Sequence, residues 1–246
     1  MDLKNKIVVV TGSSSGIGKA IALRFAQEGA KIVVHYHENK TGGEEVISEI
    51  RKIGGKSLLV QADMQKTENI EQFFKIIVKE FKTVDILINN AGNPAEISPF
   101  FESPQKDILD LLNINVVGPM LCSKQVIPIM KTQGYGKIIN TSSIKGWEHG
   151  GGSITYAVSK AAINSFTRTL AKQVAPTIQV NAVAPGYVKT RAFDNQPQEK
   201  IDKWLSGTYL KRWITKEEVA DAFIFLAKND AMTGQIIYVD GGFTLK

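Results

Sequence analysis

Short β-branched runs alternate with longer amphipathic stretches from Lys6 to about Ala184, the pattern of a parallel sheet covered by helices on both faces. Seven segments read as strands: IVVV at 7–10, KIVVHY at 31–36, KSLLVQAD at 56–63, VDILINN at 84–90, KIINTS at 137–142, IQVNAVAP at 178–185 and IIYVDGG at 236–242. Between them apolar positions recur at helical spacing over residues 17–28, 41–53, 67–81, 104–131, 154–174 and 215–228. Strand and helix in this alternation predict an α/β fold, a doubly wound parallel sheet of seven strands. No linker, low-complexity tract or internal repeat interrupts it. Residues 1–246 therefore read as one domain, with a loop or lid at about 191–213.

Ligands of such sheets collect beyond the carboxyl ends of the strands. The unusual loops all fall there: TGSSSGIG after the first strand, HYHE after the second, ADM after the third, NNAG after the fourth, TSSIKG after the fifth and APGYVKT after the sixth. In TGSSSGIGK, residues 11–19, a strand hands over to a helix. The free amides and positive dipole end of that helix favour an anion such as a pyrophosphate. Gly12 permits the tight turn, Gly16 lets a ligand approach, and Gly18 lets helix and strand pack closely. A nucleoside-triphosphate loop fails on two counts, because Ser13 stands at its first glycine and Ala20 at its metal-binding hydroxyl. A dinucleotide-binding (Rossmann) turn remains, with Gly12, Ser14, Ser15, Gly16, Ile17 and Gly18 as its ligand-facing residues.

Composition narrows the class without changing it. The chain is 43% hydrophobic and 22% charged, ordinary for a globular protein, and no apolar run is long enough for a membrane helix. The N-terminus has no signal-peptide pattern, so a cytoplasmic location is expected. The net charge of +6 is spread singly over amphipathic segments, without the basic clusters or interleaved aromatics that nucleic-acid binding needs. Cys122 is the one cysteine; it reads as a small core side chain, and no metal site is expected.

Tyr156 and Lys160 stand four apart in SITYAVSKAAINSFTRTLA, on one helix face. An ammonium beside a phenol favours phenolate, so the tyrosine pKa is expected to fall and the pair to work as an acid/base unit. TGxxxGxG, NNAG at 89–92, Ser143, YAVSK at 156–160 and NAVAPGYVKT at 181–190 occur in one chain in that order. In this combination, which spans essentially its whole length, the sequence resembles the short-chain dehydrogenase/reductase family.

The resemblance implies a role for each matching residue. Tyr156 would exchange a proton with a substrate carbonyl or alcohol while a nicotinamide exchanges hydride. Lys160 would lower the tyrosine pKa and hold the nicotinamide ribose, and Ser143, preferred over Ser142, would bond the carbonyl oxygen. Asn115, preferred over Asn113, would hold a proton-relaying water on its backbone carbonyl. Asp63 and Met64 would meet the adenine, and Asn90, Ala91 and Gly92 would pass the adenosine ribose, with Asn89 tying strands. Pro185 and Gly186 would turn the chain so that Val188 and Thr190 reach the nicotinamide half. At the end of the second strand, the position that carries a carboxylate in NAD enzymes aligns with Tyr36, followed by His37. With Lys40 near and Glu38 opposing, NADP(H) is the preferred cofactor and NAD(H) is tolerated.

Substrate would be read by loop segments carrying Trp147, Phe193, Trp204, Tyr209 and Trp213, a set suited to an apolar pocket, with His149 nearby. The glycine turn, APGYVKT and VDGG look most like 3-oxoacyl-acyl-carrier-protein reductases and the sugar dehydrogenases similar to them. A 3-oxoacyl reductase, with Arg168 and Lys172 offering charge to the carrier protein, is the leading expectation. A glucose or polyol dehydrogenase and a generic ketone reductase are the rivals. A non-catalytic dinucleotide sensor is the alternative of another class; it would be expected to lose Ser143, Tyr156 or Lys160, and this chain keeps all three. The resemblance further implies a homotetramer, built on the helices at 104–131 and 154–174 and on the C-terminal VDGGFTLK.

Overall fold

The computed structural model describes residues 1–93, 100–147, 153–190 and 196–245. Its strands are β1 (Ile7–Val10), β2 (Lys31–Tyr36), β3 (Ser57–Gln61), β4 (Ile86–Asn89), β5 (Gly136–Thr141), β6 (Ile178–Pro185) and β7 (Ile236–Val239). The helices are α1 (Gly16–Gln27), α2 (Lys40–Lys52), α3 (Thr67–Phe81), α4 (Gln105–Leu112), α5 (Gly118–Thr132), α6 (Ile154–Val174), α7 (Gln198–Ser206) and α8 (Lys216–Lys228). The strands form one sheet in the order β3-β2-β1-β4-β5-β6-β7, every neighbouring pair parallel. The chain winds outward from β1 to β3, then returns to lay β4 against the other side of β1. Strand order reverses there, and the adjacent crossovers must leave on opposite faces, which opens a crevice above β1 and β4.

Successive residues of a strand point to opposite faces. Val8, Val10, Ile32, Val34, Ile86 and Ile88 pack on α1, α2 and α8, whereas Ile7, Val9, Val33 and Leu87 pack on α3, α5 and α6. Both faces are apolar, which is why these strands read as continuous hydrophobic runs. Phe25 of α1 and Phe223 of α8 are fully buried in the first layer, each contributing roughly 1.5–3 kcal/mol by leaving water.

Two expectations are corrected. The helix expected over 104–131 is two helices, α4 and α5, joined by a π-helical turn over Asn113–Val117 in which the Gly118 amide donates to the Asn113 carbonyl. Two asparagines and three β-branched residues in NINVV are poor helix formers, and the widened turn carries Asn115 inward, where its side chain is buried. The rim segment read as loop contains α7, whose Ile201, Trp204 and Leu205 fall at one-face helical spacing after Pro197. Residues 191–195 of that segment lie outside the described residues.

No helix among the described residues is long and apolar enough to cross a membrane, and no group of histidine, cysteine or acidic residues among them could hold a metal. Cys122 is buried on α5 with its Sγ 3.6 Å from Met64 Sδ, and burial pushes its thiol up to about 12. A thiolate is the reactive form. Ellman's reagent is therefore expected to leave the native protein unlabelled at pH 8 and to label one thiol per chain in denaturant; rapid native labelling would contradict this packing.

Candidate active site

The loops at the carboxyl ends of β1 to β4 line a crevice of about 1120 Å³. Gly12, Ser14, Ser15, Gly16, Ile17 and Gly18 form one wall, Asp63 and Met64 another, and Asn90, Ala91 and Gly92 a third, with Thr190 at the rim. Gly12 and Gly16 have φ of 65° and 58°, the left-handed region that glycine tolerates. A Cβ on Gly18 would lie 2.3 Å from the Gly12 carbonyl oxygen, so α1 can pack against the turn only through glycine. Beside Gly16 there is open space. Ser15 caps α1 without a side-chain hydrogen bond, leaving the first-turn amides directed at the crevice. Such a cradle fits a pyrophosphate at a helix N-terminus.

Thr11 joins this turn to β4. Its Oγ1 accepts from the amides of Asn90 at 2.9 Å and Ala91 at 3.0 Å, and Asn90 Nδ2 donates to the Thr11 carbonyl at 3.0 Å. Asn89 faces the interior, donating to Asn140 Oδ1 at 2.9 Å. Sequence reasoning overlooked Thr11, although a hydroxyl beside the first glycine was visible. It also overlooked His35, which lies in the crevice lining and whose Nδ1 accepts from the Gly12 amide at 2.8 Å.

At the end of β2 the expected selector position is corrected. Tyr36 does not line the crevice, and its ring lies toward α2, where a Cβ on Gly43 would approach it to 3.5 Å. Strand alternation is the reason: His35 and His37 share the face that Tyr36 turns away from. His37 Nε2 stands 3.9 Å from Asp63 Oδ2, with Lys66 Nζ 3.5 Å from the same oxygen, and Glu38 follows at the open edge.

Ser143, Tyr156 and Lys160 gather where β5 ends and α6 begins, outside the residues that line the crevice itself. Ser153 caps α6 by accepting from the Tyr156 amide at 3.2 Å, which starts the helix one turn before the tyrosine. The Ser143 hydroxyl lies close enough to the Tyr156 phenol to favour its ionised form. Ser143 Oγ also accepts from the Lys145 amide at 3.2 Å, whereas Ser142 Oγ is committed to Asn164 Oδ1 at 2.6 Å. Lys160 Nζ donates to the Thr141 carbonyl at 2.9 Å and lies 5.5 Å from the centre of the Tyr156 ring.

The expectation of a lowered tyrosine pKa does not describe this state. Burial raises the Tyr156 phenol above its ordinary value, and the Ser143 hydroxyl pulls it down only in part. Burial also holds the Lys160 ammonium down to about 8. Desolvation disfavours both charged forms, and the ammonium is turned to a carbonyl.

Asn115 connects trio and crevice. Its Oδ1 accepts from the Asn93 amide at 2.8 Å, and its Nδ2 donates to the Asn93 carbonyl at 3.0 Å and to Ser159 Oγ at 3.1 Å. Gly92 has to be glycine here, because a Cβ would meet Asn115 Oδ1 at 2.8 Å. A second link runs from Thr141 Oγ1 to Asn90 Oδ1 at 3.4 Å.

After β6, Pro185 and Gly186 carry the chain past Asp240, whose Cα a Cβ on Gly186 would approach to 2.7 Å. Val188 forms a parallel bridge with Ile214 through the Tyr187 carbonyl and the Lys189 amide. The bridge thus leaves the amide and carbonyl of Val188 itself directed to its other side. The expected aromatic pocket is not assembled as a set. Trp204 stacks on Tyr187 at 5.7 Å, Phe243 meets Tyr187 edge-on at 5.5 Å, Trp147 packs on Tyr238, and Tyr209 is 62% exposed. Phe193 and His149 lie outside the described residues. Tyr187 and Phe243 were missed because their neighbours come from distant elements.

The family model described as Enoyl-(Acyl carrier protein) reductase matches residues 12–244. The chain is 36% identical to a 3-oxoacyl-[acyl-carrier-protein] reductase of Synechocystis sp., over 99% of this chain and 98% of that protein. It is 37% identical to glucose 1-dehydrogenase 2 of Bacillus subtilis, over 99% of this chain and 96% of that protein. A solved short-chain dehydrogenase/reductase variant of Serratia marcescens superposes with a TM-score of 0.93 at 31% identity, covering 99% of this chain and all of that one (100%).

Lys160 gives this site a cost that can be measured. With its ammonium at about 8 in the fold against 10.5 ordinarily, the folded protein below pH 8 carries a buried charge worth up to about 3 kcal/mol. Between pH 8 and 10.5 the folded state binds fewer protons than the unfolded one, so this penalty fades as pH rises. Lys160→Met is expected to be roughly 1–3 kcal/mol more stable than the wild type in urea at pH 7, with the gap narrowing by pH 10. A variant less stable at both pH values would refute the assignment.

Proposed function

Because this chain belongs to the short-chain dehydrogenase/reductase family and is an oxidoreductase, we propose that it reduces a ketone to a secondary alcohol with NADP(H), Ser143, Tyr156 and Lys160 being its catalytic residues. The convergence of Ser143 on the Tyr156 phenol, with Lys160 Nζ 5.5 Å from the tyrosine ring and one helical turn away, is the observation that carries this reading. The nicotinamide cofactor that this family binds supplies the hydride. Ser143 holds the carbonyl oxygen and Tyr156 Oη delivers a proton to it, so that oxygen gains a proton as the adjacent carbon gains hydride. The phenolate left behind is stabilised by the nearby Lys160 ammonium. A phenol held protonated by burial suits this direction at neutral pH.

On this reading the glycine turn holds the pyrophosphate, Asp63 and Met64 meet the adenine, Asn90 to Gly92 pass the ribose, and Val188 and Thr190 reach the nicotinamide half. His37 and Lys66 at the β2 edge support a 2′-phosphate, and Glu38, whose carboxylate opposes that phosphate and favours NAD(H), does so only from the exposed rim, so NAD(H) is accepted more weakly. The substrate we favour is a 3-oxoacyl thioester on acyl-carrier protein, with Arg168 and Lys172 exposed on α6 to receive the carrier. The similarity to a glucose dehydrogenase favours a second reading, a sugar or polyol substrate. We also place a second copy of the chain against α4 to α6, where Leu109, Val117, Met120, Ile154 and Val158 are each 41–54% exposed, apolar side chains that a partner would take out of water. A second contact through the C-terminal VDGGFTLK, where Leu245 is 74% exposed, would join two such dimers into the homotetramer we propose.

Assays of 3-oxoacyl thioesters, aldoses and simple ketones with NADPH and NADH, and of the corresponding alcohols with NADP and NAD, test the substrate and cofactor directly. Turnover confined to sugars with NAD would replace both assignments. Tyr156→Phe is expected to lose at least about a thousandfold in kcat while NADPH affinity stays within roughly threefold; retained turnover would remove the proton donor. Since the Tyr156 phenol titrates above its ordinary value, alcohol oxidation, which needs phenolate, should climb with pH from 7 to 10, whereas ketone reduction, which needs the phenol, should stay nearly level over that range. Parallel profiles for the two directions would contradict that role.

A further inference from the structure

His35 lies at the fifth position of β2, 2% exposed, between the glycine turn and the end of β3. Four hydrogen bonds bind it to its neighbours. Its amide donates to Ser13 Oγ at 2.9 Å and its carbonyl accepts from the Ser13 amide at 3.1 Å. Its ring meets the Gly12 amide through Nδ1 at 2.8 Å and the Ala62 carbonyl through Nε2 at 3.0 Å. An amide only donates, so Nδ1 must present its lone pair and the ring proton must sit on Nε2, where it donates to Ala62. The edge contact with Phe73 of α3, ring centres 5.4 Å apart, fixes the ring plane. One neutral tautomer thus joins the β1 turn to β2 and to the end of β3.

The consequence falls on the turn. Gly12 and Ser13 spend their amides on His35, while among the described residues no protein acceptor takes the amides of Gly16 and Ile17 at the open start of α1. On its other side Gly12 is held by Ala91, whose Cα stands 2.8 Å from where a Cβ would be. The turn is clamped between a ring nitrogen and a backbone, and the clamp sets where the free amides point. Protonation of Nδ1 would replace the lone pair by an N–H facing another N–H, losing one bond and opposing two donors.

We propose that His35 is the positioning residue of this crevice, a neutral acceptor that aims the α1 amides at the cofactor's phosphates and whose protonation releases the turn. This inference rests on the dinucleotide reading given above. The titratable groups acting on the ring are His37 from the end of β2 and Asp63 from the loop after β3; Phe73 and Ser13 carry no charge. Burial holds the imidazole neutral down to about 4, so the clamp is closed at neutral pH and opens only in acid.

The test is NADPH binding, followed by nucleotide fluorescence, in the full-length wild type, His35→Leu and His35→Asn. Asparagine can place Oδ1 where Nδ1 stands, accepting from Gly12 without a proton to gain. His35→Leu is expected to raise the NADPH Kd about tenfold or more, the equivalent of one lost hydrogen bond to a buried donor, with kcat at saturating NADPH within about threefold. His35→Asn is expected to recover most of that affinity and to lack the acid weakening that the wild type shows below pH 5. Wild-type affinity in a folded His35→Leu protein, or an asparagine variant no better than leucine, would overturn the proposal. Should both variants fail to fold, nitrogen NMR of the wild type decides it: the Gly12 amide shift must follow His35 Nδ1 through its titration, and an indifferent Gly12 refutes the clamp. Failure of the unmutated protein to bind NADPH and NADH would instead strike the dinucleotide reading, and is told apart by appearing without any substitution.

Discussion

A buried ammonium on a strand-end carbonyl ties the chemistry of this protein to its fold. Lys160 of α6 reaches the Thr141 carbonyl at the close of β5, so the helix that carries the tyrosine is fastened to the sheet that builds the crevice. Isolating a charge from water is expensive unless hydrogen bonds replace the hydration. Buried Lys137 has the Asp230 carboxylate at 2.7 Å to offset that cost, whereas Lys160 meets it with the Thr141 carbonyl, beside the Tyr156 phenol. On the proposed mechanism, stability and activity are opposed at Lys160, as is common at active sites.

Around that contact the site is held together by backbone groups more than by charged side chains. Thr11 collects the amides of Asn90 and Ala91, Asn90 returns a bond to the Thr11 carbonyl, and Asn115 exchanges two bonds with the backbone of Asn93. The amide and hydroxyl groups involved keep the same charge over the whole working pH range. Loops from β1, β4, β5 and the α4–α5 junction consequently behave as one surface, and the glycines at 12, 18 and 92 mark where two backbones or a side chain come too close for a Cβ. The π-turn at Asn113–Val117 belongs to the same economy of space, turning one asparagine inward without ending the helical path.

The electrostatics of the trio depend on this enclosure. Read as an isolated helix face, Tyr156 and Lys160 suggest an acidic phenol. Folded, burial outweighs the Ser143 hydroxyl, the phenol is held above its ordinary value and the lysine below its own. On the proposed mechanism, such a site keeps its proton on tyrosine until a substrate oxygen arrives to receive it.

What the residues determined unaided was the period of the pattern and the identity of the loops. Apolar runs between amphipathic stretches specify seven parallel strands and the rim where TGSSSGIG, NNAG and YAVSK meet, because parallel strands buried on both faces admit little else. Tertiary structure alone decided the rest. That His35 and not Tyr36 faces the crevice depends on the register of β2 against β1 and β3, which a run of apolar residues does not reveal. Likewise Tyr187, Trp204 and Phe243 form an aromatic wall only because β6, α7 and the C-terminal turn converge. Desolvation set the protonation of Tyr156 and Lys160, and desolvation is a property of what surrounds a group in space, which neighbours in sequence do not supply.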